Sequence, residues 1–151
     1  MAIEARLEAL GITLPEPAAA VANYLPVVEE GGWITVSGQL PLRDGTLTCA
    51  GYVGQDVSPE EAYQAARLCA INGLALIRQA AGSLERVRIV RVGGFVASAP
   101  GFTAQPQVIN GASDLLVEVL GERGRHARAA VGVAELPLGA AVEVEFSARI
   151  L

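Results

Sequence analysis

The stretch from Arg128 to Val133, Arg-Ala-Ala-Val-Gly-Val, sets one arginine among the smallest side chains available. Side chains alternate along a strand, so Arg128 shares a face with Ala130 and Gly132 and borders space those residues do not fill. A guanidinium beside such a concavity is equipped to grip a carboxylate through its planar fork, most strongly where water is excluded. The same residue also fits a plain structural role, paired with Glu145 across a ladder or solvated at a strand end. His126, the only histidine, lies two residues earlier. It reads either as a proton donor tuning that site or as a surface loop residue. No Ser/His/Asp arrangement, phosphate-binding glycine loop or metal-ligand spacing is legible. Cys49 and Cys69 stand outside any CxxC or Cys/His pattern and read as buried free thiols. The sequence calls for no metal and no cofactor.

The elements that must position Arg128 begin with a single core. The chain has 151 residues, 52% of them hydrophobic, and no linker or charge run divides it. It reads as one domain over residues 1–151, with residues 1–20 a short helical extension. The net charge of −5, with its arginines scattered, leaves no basic stripe for nucleic acid. No apolar run approaches the roughly 18 residues needed to span a bilayer, and the charged amphipathic N-terminus is no signal peptide. A cytoplasmic protein with no membrane partner is expected. So much apolar surface in one small domain also predicts an oligomer.

Along the chain, residues 21–28 and 32–41 flank Glu29-Glu30-Gly31-Gly32 and read as a hairpin that carries Tyr24 on its first strand. Asp44-Gly45 marks a turn that continues the meander. Ser58, Pro59 and Glu61 open a helix that Gly82 stops, and Ala62, Ala65, Ala66, Cys69, Gly73 and Leu76 give it a small-residue face for close packing. Residues 86–98 read as a strand with a bulge or bend at Gly93-Gly94. A second helix follows, with Val108, Ile109, Ala112, Leu115, Leu116, Val119 and Leu120 on its apolar stripe and Asn110 off it. The last third reads as two alternating strands paired as a hairpin. Matching Glu135 with Ala140 gathers Ala129, Val131, Val133, Val142, Val144 and Phe146 on one face. Arg128, Ala130, Gly132, Glu143 and Glu145 then share the other. In that register Gly132 opposes Glu143, and Arg128 lies roughly 13 Å from it along the strands. The order β-β-β-α-β-α-β-β predicts an α+β layer in which two helices cover one face of a mixed sheet.

Residues 127–145 and 24–41, with the Ser37-Gly38-Gln39 triplet, Arg128 opening the penultimate strand, the Leu136-Pro137 turn and Val142-Glu143-Val144-Glu145, resemble the signature regions of the Rid family of reactive intermediate deaminases, the YjgF-like proteins. The resemblance covers roughly residues 20 to 151. It implies a chorismate-mutase-like α+β fold (of the bacillus chorismate mutase kind) and a homotrimer whose sheets close into a barrel, with ligand clefts between subunits.

Residue by residue, the resemblance makes Arg128 the grip on the substrate carboxylate and Glu143 the acidic partner of a bound water. Tyr24, Ser37, Gly38, Asn110 and Ala130 become substrate-binding positions. It implies hydrolysis of 2-aminoacrylate and related enamine or imine acids to 2-keto acids and ammonia, chemistry that asks mainly for orientation of a carboxylate and one water. Three features depart from the best-known members: Ala130 stands where they carry a cysteine, Gly132 where a glutamate is common, and residues 1–20 extend the N-terminus. The alternative is a trimeric module that binds small carboxylates without turnover. Ribonuclease ranks last, because the chain is acidic and has no His/His or Lys/His constellation.

Overall fold

The computed structural model describes residues 1–17, 19 and 22–151. Ala18 in the proline-punctuated connector, Ala20, and Val21 at the head of the first expected strand lie outside the described residues. The rest form helices α1 (Ile3–Ala9), α2 (Pro59–Ala81) and α3 (Gln105–Leu120). The strands are β1 (Val27–Glu30), β2 (Trp33–Gln39), β3 (Leu42–Arg43), β4 (Thr46–Leu47), β5 (Val87–Ala97), β6 (Ala127–Val133) and β7 (Val142–Ile150). The fold is α+β, a mixed sheet with α2 and α3 on one face.

Local chemistry places the helices. The Ser58 hydroxyl accepts from the Glu61 amide at 3.1 Å, Pro59 occupies the first turn, and Gly82 closes α2 at φ 79°. The small face of α2 is buried from end to end, and a Cβ at Gly73 would collide with the Phe146 ring of β7. In α3 all seven stripe residues are buried. At the helix crossing Gly111 rides directly on the Tyr63 carbonyl, while Tyr63 Oη donates to Asp114 at 2.7 Å and Arg67 meets Glu118 at 3.0 Å. Helix α1 docks on the same core through Ile3 and Leu7, fixed by Arg6 Nη1 donating to the Val119 carbonyl and by the Glu85 carboxylate accepting from the Ile3 amide.

The sheet runs β1-β2-β7-β5-β6, with β6 parallel to β5 and every other pair antiparallel. This corrects the expected hairpin of the last two strands. β6 and β7 do not touch; β5 lies between them. A short turn at Leu136–Gly139 had suggested direct pairing, yet α3 carries the chain from β5 across to β6 and leaves β5 an open edge for β7. The faces change with the neighbours. Arg128, Ala130 and Gly132 pair with Val92, Gly94 and Val96, which in turn pair with Phe146, Val144 and Val142. They therefore face the helices, whereas Ala129, Val131 and Val133 share the outer face with Glu143 and Glu145.

Three smaller differences follow from local sterics. Tyr24 precedes β1 and lies on no strand, since Pro26 has no amide proton to pair. Asp44-Gly45 turns β3 into β4 with both residues at positive φ, but that ladder is a separate two-stranded sheet. The irregularity in β5 falls between Ile89 and Arg91, while Gly93 and Gly94 stay in the ladder to admit Glu145 on one side and Ile109 on the other.

The Gly111 crossing yields a stability test. A methyl there meets a backbone carbonyl that cannot swing aside, so Gly111→Ala should destabilise the fold by about 1–3 kcal/mol despite alanine's better helix propensity. Urea unfolding measures it; a variant as stable as the parent would mean the helices separate freely at this point.

Candidate functional site

Arg128 sits at the start of the edge strand β6, on the helix-facing side, half-buried against α3. Its Nη1 donates to Ser113 Oγ at 3.1 Å and its Nη2 to the Pro106 carbonyl at 3.2 Å. Pro106, Asn110 and Ser113 recur at intervals of four and three, which puts them on one stripe of α3. Asn110 thus lies between the two residues that hold the guanidinium. Among the described residues Arg128 makes no ion pair. The expected alternative partner, Glu145, is on the opposite face of the sheet.

Within the single chain, other side chains occupy much of the space that the small residues beside Arg128 leave. Ala130 packs on the core, opposite Gly94, where Ile109 fills the missing side-chain position. A Cβ at Gly132 would stand 2.9 Å from both Gln105 Nε2 and Ser98 Oγ. Their smallness lets α3 lie close against the strand.

His126 is half-buried and bonded on both ring nitrogens, unlike a solvated loop histidine: Nδ1 to the Gly124 carbonyl at 2.6 Å and Nε2 to Ser113 Oγ at 2.8 Å. Burial lowers its pKa and the Arg128 charge adds to that, against an opposing contribution from the Gly124 carbonyl. Ser113 went unnoticed in the sequence; the signal available was its place one helical step from Asn110 on a stripe facing the arginine.

Glu143 lies on β7, the central strand, on the outer face of the sheet. It pairs with Phe95, while Arg128 pairs with Val92. Three residues and two strand spacings separate them, about 10 Å along the strands and about 10 Å across, and they occupy opposite faces. Glu143 packs on Gly38, where a Cβ would stand 2.9 Å from its Cδ. The β2–β7 register breaks between Val36 and Gln39, which lets Ser37 and Gly38 bow out of the ladder beside it. Ser37 Oγ donates to the Leu25 carbonyl at 2.7 Å, tying down the segment that carries the exposed Tyr24. The residues expected to form one site therefore fall into two groups: Arg128, Asn110 and Ala130 at the β6–α3 edge, and Glu143, Gly38, Ser37 and Tyr24 at the bulged end of β2.

Burial, with a smaller contribution from Glu145, holds the Glu143 carboxyl above the usual carboxylate range. Cys69 is fully enclosed, its thiol pushed well up chiefly by burial, and it serves packing; Cys49 is half-buried and also unpaired. A hollow lined by Ala50, Tyr52, Ala97, Glu135 and Gly139 holds neither Arg128 nor Glu143. No helix among the described residues is long and apolar enough to cross a membrane, and no group of acidic, cysteine or histidine side chains among them could hold a metal.

A mixed sheet with two helices on one face, an arginine at its parallel edge and a glutamate packed on a bulge glycine defines an α+β protein of a recognisable class. The family model described as "YjgF/chorismate mutase-like, putative endoribonuclease" matches residues 4–150, and the chain belongs to that family. The match includes α1, which the sequence resemblance had left outside. The chain is 48% identical over 145 residues to Protein TCP17 of Trypanosoma cruzi, covering 95% of this chain and 91% of that one. It is 49% identical to Atu1372 of Agrobacterium tumefaciens, a protein of unknown function, with a TM-score of 0.92 over 99% of this chain and 92% of the other. RidA from an Antarctic Psychrobacter is 28% identical, with a TM-score of 0.63 over 89% and 94% of the two chains.

The Glu143 environment has a measurable consequence. A carboxyl whose folded pKa is raised contributes stability that is complete below its unfolded pKa and is lost as pH rises through the folded value. Glu143→Gln should therefore raise the Tm at pH 7, and its advantage over the parent should shrink as pH falls through the raised folded pKa into the ordinary carboxylate range, below which it changes no further. An advantage of constant size from pH 7 to pH 4 would assign the gain to something other than the buried charge.

Proposed function

We propose that the protein hydrolyses enamine or imine carboxylates to 2-keto acids and ammonia, with Arg128 anchoring the substrate carboxylate and Glu143 handling the attacking water. The observation that carries this reading is Arg128 itself: a guanidinium held by two neutral acceptors, without a carboxylate partner among the described residues. Of its five N–H donors two are committed, and the rest stay available to an anionic ligand. Membership of a family that also includes RidA is consistent with this chemistry.

In the reaction, the iminium carbon of R–C(=NH2+)–CO2− takes the oxygen of one water. One water proton passes to nitrogen, the C–N bond breaks, the remaining hydroxyl proton passes to the departing ammonia as the carbonyl forms, and R–CO–CO2− and NH4+ leave. Glu143, its carboxyl raised by burial, is suited to accept the water proton and return it to nitrogen. The proton inventory closes without a metal or cofactor.

Because Arg128 and Glu143 occupy opposite faces of one sheet, this mechanism joins them across two copies of the chain, in a cytoplasmic homotrimer with its clefts between subunits. The outer face suits burial against other copies: Val28, Trp33 and Val131 are each close to half exposed there, and Arg149 lies 4.9 Å over the Trp33 ring. A carboxylate-binding module without turnover would need the Arg128 edge alone. Nucleic acid is a poor fit to the net charge of −5.

The protein is tested by adding it to a serine or threonine dehydratase, or to an amino-acid oxidase, and following keto-acid release. Acceleration is expected; Arg128→Ala should abolish both turnover and product binding, and Glu143→Gln should slow turnover more than it weakens binding. Light scattering should give about three chains per particle. Mixing Arg128→Ala with Glu143→Gln subunits should then restore activity, since in a ring of head-to-tail interfaces about one in four clefts receives both native residues. A strictly monomeric mass, or mixed subunits as inactive as either parent, would break the two-copy site. A trimer that binds keto acids yet leaves hydrolysis at its buffer rate with every amine source is the binding module.

A further inference from the structure

We infer that Ser113 and His126 are positioning residues whose hydrogen-bonded chain holds the Arg128 guanidinium in a single pose, an inference that deepens the carboxylate-anchor reading above and rests on it for its ligand. The contacts fix the direction of every proton. The Gly124 carbonyl can only accept, so the bond at 2.6 Å requires His126 to carry its proton on Nδ1. Nε2 is then a bare acceptor, and the Ser113 hydroxyl 2.8 Å away must donate to it. With its proton committed, Ser113 Oγ turns a lone pair toward Arg128 Nη1 at 3.1 Å. The chain is Arg128 to Ser113 to His126 to Gly124, each group donating to the next.

Two further features make this a brace rather than a chance contact. The Pro106 carbonyl, seven residues earlier on α3, accepts from Nη2 at 3.2 Å, so both terminal nitrogens are held, each by its own acceptor. Burial and the Arg128 charge both favour the neutral imidazole, the form the chain requires. An arginine side chain has many rotamers to lose, and a guanidinium fixed before a ligand arrives does not lose that freedom on binding. Neither Ser113 nor His126 needs to touch the ligand; both act through Arg128.

The brace is read directly in the ligand-free protein. Nitrogen-15 shifts should show His126 as the Nδ1–H tautomer at neutral pH. The Arg128 side-chain N–H signals should be resolved and slow to exchange in the parent, averaged in Ser113→Ala and His126→Leu, and retained in Ser113→Thr, which keeps the hydroxyl. Titration with 2-ketobutyrate should give affinities about three- to tenfold weaker for Ser113→Ala, the scale of one lost hydrogen bond, with Ser113→Thr near the parent and Arg128→Ala weakest. An Nε2–H tautomer, or Arg128 signals indifferent to Ser113→Ala, overturns the inference. Parent protein that ignores 2-ketobutyrate while its Arg128 signals still collapse in Ser113→Ala supports the brace and removes the carboxylate reading, so the two fail separately.

Discussion

The position of β5 between β6 and β7 governs everything else in the molecule. One strand makes a parallel ladder with β6 along one edge and an antiparallel ladder with β7 along the other. Because side chains on paired residues share a face, those two ladders decide that Arg128 turns toward α3 and Glu143 away from the helices. They also align Val92, Val96, Val142, Val144 and Phe146 into the layer on which both helices rest. The parallel pair needs a crossover, and α3 is that crossover. The helix that completes the core therefore also runs alongside the arginine and supplies its acceptors.

Much of this was legible one element at a time. The α2 boundaries follow from Ser58, Pro59 and Gly82, and the α3 stripe follows from a period close to 3.6, because capping and amphipathicity are local. Strand pairing is not local. A four-residue turn between two alternating strands is the ordinary mark of a hairpin, and nothing between Ala127 and Ile150 announces that another strand lies between them. The expected hairpin put Arg128 and Glu143 on a single face, four residues apart in register, whereas the intervening β5 puts them on opposite faces. The resemblance to a known family named individual residues, but the division of those residues between the β6 edge and the opposite face at β7 and β2 depends on long-range pairing that local patterns do not encode.

The small residues of β6 are ambiguous for a related reason. Ala130 and Gly132 beside an arginine look like the walls of a ligand cavity when the strand is considered alone. In the fold their missing atoms are replaced by other parts of the chain: Ile109 above Gly94 next to Ala130, and Gln105 with Ser98 over Gly132. Small side chains reserve volume, and only the tertiary neighbours determine whether a ligand or a helix takes it. Here the helix does, and the close approach of α3 brings the Pro106 carbonyl and the Ser113 hydroxyl within reach of the guanidinium.

The choice of acceptors around Arg128 then matters as much as their geometry. Had Glu145 been its partner, the guanidinium would already be neutralised, and an incoming carboxylate would have to displace an internal one. A carbonyl, a hydroxyl and a neutral imidazole restrain the side chain while leaving its full charge in place. The cost is a half-buried cation without a counter-ion among the described residues, tolerable because the strand lies at the sheet edge where solvent still reaches it. On the proposed reading, an anion arriving at that edge would gain a charge-assisted contact without having to break an existing ion pair. That combination, a braced cation with its charge uncompensated, sets Arg128 apart from Arg67, Arg78 and Arg125, each of which is closed by a carboxylate of its own chain.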